Sequence, residues 1–364
     1  MSSPTAAAPS VRFGLLLSPA LLLALGLGAC RPTIEGDKSI GDLYGEDSGG
    51  ADGADGATDT GGEDTGGEDT GLDIAPPVVY DCDTAPTTDF AGTPTAGARA
   101  YHGIAFDDVG NLIGWDGRSA LVKATYDGDR EVFLPGINYA EQLDRLPDGD
   151  FVMGDPWGGN LLRISPEGAS TVLASGVSGV YGVTTGPDGN VYVANGGVLR
   201  VEVATGTVTT LLDAPADGSW IAHSIEFNLD STMLYIGTIG SGQLLGLPLD
   251  EDLNPSGEPT ALASVGSGWH DAVAVDACGI VWVPDYYSSG FYRIDLEAGT
   301  VSNAVPTGGR AYGHGAVFGT GINGWRRDAI YQPQPYNGST VREVVIGVPT
   351  GDTVRTWRGE RVSY

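Results

Sequence analysis

Positive charge is scarce in this chain: 18 Lys and Arg stand against 47 Asp and Glu, a net charge of −29, and Lys38 and Lys123 are the only lysines. Neutralising phosphate needs clustered Lys and Arg, so nucleic acid and anionic lipid headgroups are excluded as partners. Cysteine is also rare, at three residues, and so is histidine, at four. Long apolar runs are missing except near the start, so no later segment is read as crossing a bilayer. No stretch carries a helical apolar period of any length, which points to an all-β chain.

The one long apolar run, residues 14–29, follows Arg12 and ends at Leu27-Gly28-Ala29-Cys30. A basic start, an apolar middle and small residues before the cleavage point make a secretory signal peptide. The last four residues resemble a bacterial lipobox, which implies that Cys30 is lipidated and anchors the protein to a membrane without crossing it. Arg31 gives no aspartate-type retention signal, so the outer membrane or cell surface is favoured. Residues 30–77 hold near-repeats such as GGEDTGGEDTG and almost no apolar side chains. Such a segment cannot offset its ordering entropy by burial, so it reads as a disordered acidic tether. At about 45 residues it spans roughly 40 Å. The remaining cysteines, Cys82 and Cys278, are expected to form a disulfide in an exported protein.

From about residue 98 a pattern recurs about every 40 residues: YHGIAFDDVGNLIG, EQLDRLPDGDFVMG, YGVTTGPDGNVYVAN, HSIEFNLDSTMLYIG, DAVAVDACGIVWVP and HGAVFGTGINGW. Short alternating strands and Gly or Asp turns at this period predict a β-propeller, and six repeats predict six four-stranded blades over residues 78–364. The third repeat is the clearest, with strands expected at 181–185, 191–194, 198–203 and 207–212. The segment Thr87 to Gly97 looks like an outer strand with no blade before it, so it is expected to close the ring by completing the sixth blade. Residues Thr353 to Trp357 compete for that place.

The residues opening each repeat are His102, Glu141, Tyr181, His223, Asp271 and His314. Three of the four histidines fall at this one register, where a random histidine would land about one time in fifty. In a closed ring these six converge on the central channel. Imidazoles and carboxylates brought together out of water can ligate a divalent ion, with Ca, Zn or Mn as candidates. Asp271, Glu141 and His314 are the expected catalytic groups. Tyr181 is read as a channel plug. Loops around the same funnel supply Trp157, Tyr286, Tyr287 and Tyr336 to stack on a ring-shaped ligand, and His270 is placed beside them. Asp107 and Asp276 are expected to cap turns, and Asp155 and Asp285 either to cap loops or to face the funnel.

The segments HSIEFNLDSTMLYIG and DAVAVDACGIVWVP resemble two blade signatures of the regucalcin and gluconolactonase propellers. The resemblance implies a metal held by a Glu, an Asn and an Asp, with that Asp serving in lactone hydrolysis. Asp271 matches the Asp, whereas His223 stands in place of the Asn and His102 in place of the Glu. The His-Gly pairs at His102 and His314 also resemble NHL-repeat proteins and the virginiamycin B lyases. Two functions follow as expectations: a metal-dependent hydrolase or lyase on a small cyclic or sugar-derived substrate, or a non-catalytic envelope propeller that binds a glycan, peptide or protein. Either is expected as a monomer.

Overall fold

The structure is a computed structural model that describes residues 80–351 apart from 289, 306–312, 337 and 339, together with 356–357 and 360–361. The expected signal peptide, Cys30 and the whole tether lie outside the described residues. Six four-stranded antiparallel sheets follow one another around a ring, and each is a meander running from channel to rim. The third blade illustrates the agreement with the pattern: its strands are Gly182–Thr185, Val191–Ala194, Val198–Val201 and Val208–Leu212.

Period-two alternation places successive inner-strand side chains against opposite neighbouring blades. In blade 1, Ile104 and Phe106 pack towards blade 6, whereas Ala105 packs towards blade 2. The core is accordingly six apolar clusters, each shared by two adjacent blades. Asp residues cap the tight turns as expected. Asp107 accepts from the N–H groups of Val109 and Asn111, and Asp276 accepts from Cys278, Ile280 and the Trp282 indole.

Ring closure falls to the N-terminal strand. Gly92–Arg99 pairs antiparallel with Thr340–Val345, outermost in a sheet whose other strands are Ala329–Gln334 and Val317–Phe318. Thr356–Trp357 instead pairs with Glu360–Arg361 in a separate ribbon. The seam between the last and first blades is filled by rings: Phe106, Tyr126 and Tyr331 surround Trp325 at centroid distances of 4.9 to 5.1 Å. The Trp325 indole donates to the Gly110 carbonyl, and Tyr331 and Tyr126 both donate to the buried Glu343 carboxylate. Aromatic pairs of this kind add about 1 kcal/mol each beyond burial.

The expected disulfide is present. Cys82 and Cys278 are bridged with Cα atoms 5.6 Å apart and a sequence separation of 196. It ties the chain ahead of the closing strand to the first turn of blade 5, and Tyr80 reinforces it by donating to the Gly347 carbonyl. A loop this long loses much entropy on cross-linking. The Cys82→Ser/Cys278→Ser protein should therefore be less stable than the oxidised parent by about 2–4 kcal/mol, read from urea unfolding.

Candidate functional site

Convergence of the six opening residues depends on close approach of neighbouring inner strands. A Cβ at Gly103 would lie 2.5 Å from the Gln142 Cα, and one at Gly182 would lie 2.6 Å from the His223 carbonyl oxygen. Glycine at these places lets the Gly103 N–H donate to the Glu141 carbonyl, tying blade 1 to blade 2. His223 arrives differently. It sits inside the strand Ile221–Phe227 as the extra residue of a bulge, between the pairs Ala222–Thr238 and Ser224–Gly237. A bulge re-aims the side chain it carries, and here that side chain joins the ring.

The ring residues meet around the axis. His102 Nδ1 is 3.0 Å from Glu141 Oε2. Asp271 spends one oxygen on each of two imidazoles: Oδ2 is 2.8 Å from His314 Nδ1, and Oδ1 is 3.3 Å from His223 Nδ1. The rings of His102 and His314 are adjacent, 4.3 Å between centroids. Tyr181 stacks on His223 at 5.0 Å, in keeping with a plug. Two carboxylate–imidazole units therefore stand side by side, Glu141 with His102 and Asp271 with His314.

All of this is buried, and burial alone would push both carboxyls up. For Glu141 it is outweighed by His102, His223 and the Tyr139 hydroxyl, and for Asp271 by His314, His223 and His102, so both lie below their ordinary values of 4.5 and 3.8. Burial likewise would pull His314 down, but Asp271 and, farther off, Glu141 hold it above its ordinary value of 6.5. His314 Nε2 is buried with no hydrogen-bond partner among the described residues, as are His102 Nδ1, His223 Nδ1 and Asp271 Oδ2. An imidazole whose charged form is favoured and whose Nε2 is unengaged is suited to donate a proton.

Two supporting donors escaped the sequence reading. The Tyr139 hydroxyl donates to Glu141 Oε1, and the Trp269 indole N–H donates to Asp271 Oδ1 at 2.8 Å. Each is an aromatic residue two positions before the acid, a spacing visible in Tyr139-Ala140-Glu141 and Trp269-His270-Asp271 once the acids are aligned. Gln142 also reaches across the channel to donate to the Asp271 carbonyl.

The expected wall residues divide. Tyr286 contacts His314 at 5.0 Å, and Tyr287 packs on both Tyr286 and Trp269. Trp157 packs on Tyr139, which in turn touches His102. Trp157 and Tyr287 are 67% and 58% exposed, placed on the rim, and Tyr336 is 42% exposed. His270 is a correction. It is fully buried, its Nδ1 accepts from the Thr238 N–H, and its Nε2 faces the Val265 carbonyl at 2.9 Å, so it fastens a loop and cannot reach a ligand. Asp155 and Asp285 resolve as loop caps: Asp155 accepts from the Gly158 N–H, and Asp285 from the hydroxyls of Ser267 and Ser288.

The donor types suit a divalent ion, but their placement does not. The nearest approaches are pairwise, imidazole nitrogen to carboxylate oxygen, and among the described residues no three His, Cys, Asp or Glu side chains are arranged to hold a metal. At the far end of the inner strands a solvent-open cavity is lined by Asp144, Arg145, Thr184, Glu226, Phe106 and Phe318 among others, with no imidazole.

No family model matches the chain, and no curated protein matches it in sequence. Solved structures do share its architecture. A gluconolactonase from Xanthomonas campestris is 17% identical with a TM-score of 0.58, over 76% of this chain and 96% of that one. The calcium-binding protein regucalcin from Agrobacterium tumefaciens is 17% identical with a TM-score of 0.57, over 77% and 100%. A luciferin-regenerating enzyme is 14% identical with a TM-score of 0.58, over 72% and 97%. These neighbours are six-bladed propellers of the gluconolactonase and regucalcin kind, and at such identities the likeness is one of fold.

The charge pairs fix a pH dependence. Stability from Glu141 and Asp271 is present above their unfolded values and lost as pH falls through the lowered folded ones. Stability from His314 is present below its unfolded value and lost as pH rises through the raised folded one. Urea midpoints should therefore be highest between about pH 4.5 and 6.5 and decline on both sides. His314→Gln should remove the decline on the alkaline side.

Proposed function

We propose that the protein is a hydrolase or lyase acting by acid–base chemistry on a small cyclic ester or related ring, which enters the histidine end of the channel. The observation that carries this reading is the buried, unengaged Nε2 of His314, whose Nδ1 is backed by Asp271. A carboxylate that orients an imidazole and favours its charged form recurs in acyl-transfer sites on unrelated folds. Beside it stands a second imidazole, His102, backed by Glu141.

Face to face, the two units can serve as acid and base for one substrate. In ester hydrolysis, water attacks the carbonyl carbon and gives its proton to the His102 unit. The ring C–O bond breaks, and its oxygen takes the proton from His314 Nε2. The product is the open hydroxy acid, and transfer of a proton between the adjacent imidazoles restores the starting state. In elimination the His102 unit would instead remove a proton from carbon while His314 protonates the leaving oxygen. Tyr286 and the rim aromatics Trp157 and Tyr287 would hold the ring in place.

The fold neighbours whose names state an enzyme, a gluconolactonase and a luciferin-regenerating enzyme, are consistent with this reading. The divalent ion expected at His102, His223 and Asp271 enters no step, because among the described residues no three such side chains are arranged to hold it. The lipobox-like Leu27 to Cys30 supports a place on the bacterial envelope, with the propeller held off the membrane by its tether.

A second reading is favoured by the exposure of Trp157 and Tyr287 at the rim: a non-catalytic propeller that stacks a glycan or peptide on these rings. A panel of lactones and esters separates the two. Turnover should be found, and both His314→Ala and Asp271→Asn should lower kcat at least about 100-fold with KM little changed. Trp157→Ala should raise KM with kcat retained. Binding of a ring compound that the protein leaves intact, weakened by Trp157→Ala and indifferent to His314→Ala, would establish the second reading instead.

A further inference from the structure

The ring has an approximate twofold pattern. Blades 2 and 5 stand opposite one another in a six-membered ring. Each supplies a carboxylate, and each supplies an aromatic hydrogen-bond donor two residues before it: Tyr139 to Glu141 and Trp269 to Asp271. Blades 1 and 4 each supply the imidazole that approaches that carboxylate from the preceding blade, His102 at 3.0 Å and His223 at 3.3 Å. The pattern breaks at blades 3 and 6, which carry Tyr181 and His314, and so only Asp271 gains a second imidazole.

An indole N–H can only donate, and a phenol beside a carboxylate donates by preference. A fixed donor favours the charged form of a carboxylate and dictates which oxygen is left over. The Tyr139 hydroxyl takes Oε1 of Glu141 and leaves Oε2 to His102. Trp269 takes Oδ1 of Asp271 on the His223 side and leaves Oδ2 to His314. Each carboxylate thereby presents one oxygen to an imidazole nitrogen, Glu141 to His102 and Asp271 to His314.

We infer that Tyr139 and Trp269 are positioning residues that set the two carboxylates as proton-handling partners of histidine, so that this site works without a metal ion. The inference deepens the acid–base reading of the same ring but does not depend on turnover for its test. It separates this chain from the calcium-binding regucalcin that shares its fold.

The test uses the full chain, stripped with EDTA and then returned to millimolar Ca, Mn or Zn in turn. Bound metal is measured by mass spectrometry and melting temperature by scanning calorimetry. No stoichiometric ion and no change in melting temperature are expected. One ion bound per chain, with melting raised by metal and lowered by EDTA, would overturn the inference whatever the substrate panel gives. Tyr139→Phe removes only the hydroxyl, and Trp269→Phe removes the indole N–H while keeping a smaller aromatic ring. Each should lower kcat about tenfold, with KM and melting temperature close to the parent's. The indole N–H proton resonance of Trp269 should lie far downfield and move upfield in Asp271→Asn. Unchanged kcat in both variants, or an indole resonance indifferent to Asp271→Asn, would refute the positioning role even if no metal binds.

Discussion

Closure of the ring is the constraint on which everything else in this structure rests. Each blade buries its two faces only against its neighbours, so six blades in a line would leave two apolar faces and a sheet edge in water. The strand Gly92–Arg99, laid against Thr340–Val345, makes the last blade from both ends of the chain. The aromatic seam of Phe106, Tyr126, Trp325 and Tyr331 then seals it to the first. Only a closed ring brings residues 102 and 314 to within one ring contact of each other.

Closure also creates the chemistry. Six inner strands crowd around an axis so tightly that glycine is required at positions 103 and 182. Carboxylates at such an axis lose water, which would ordinarily keep them protonated. Imidazoles and aromatic donors replace the lost water, and Glu141 and Asp271 remain anionic because of them. In turn the anions raise the proton affinity of His314, although its burial opposes this. Neither group would hold its state alone, so the proton inventory belongs to the ring and not to any single residue.

Function sits on this scaffold as a local addition. The same six-bladed architecture serves proteins that hydrolyse a lactone, bind calcium or regenerate a luciferin, so the fold does not choose among chemistries. In this chain one register carries histidine in three of six blades, and two aromatic donors reach the carboxylates that stand there in two others.

Much of this was legible in the residues themselves. The repeat of about 40 residues, the turn aspartates and the alternation along each strand specify blades because they are local properties, set by backbone geometry and burial period. The shared register of His102, His223 and His314 marked the site for the same reason: equal positions in equal repeats must become neighbours in a ring. The sequence could not say whether 87–97 or 353–357 closed that ring, since both offer a plausible edge strand and only global packing discriminates. Nor could it show that His270, one residue from a ring member, turns into a loop, that a bulge swings His223 inward, or that Tyr139 and Trp269 cap the acids. Those depend on side-chain direction, which a one-residue change of register reverses. The chain order alone thus determined which residues would meet, and tertiary packing decided which atoms face each other, because hydrogen bonding and proton affinity depend on ångströms that no periodicity encodes.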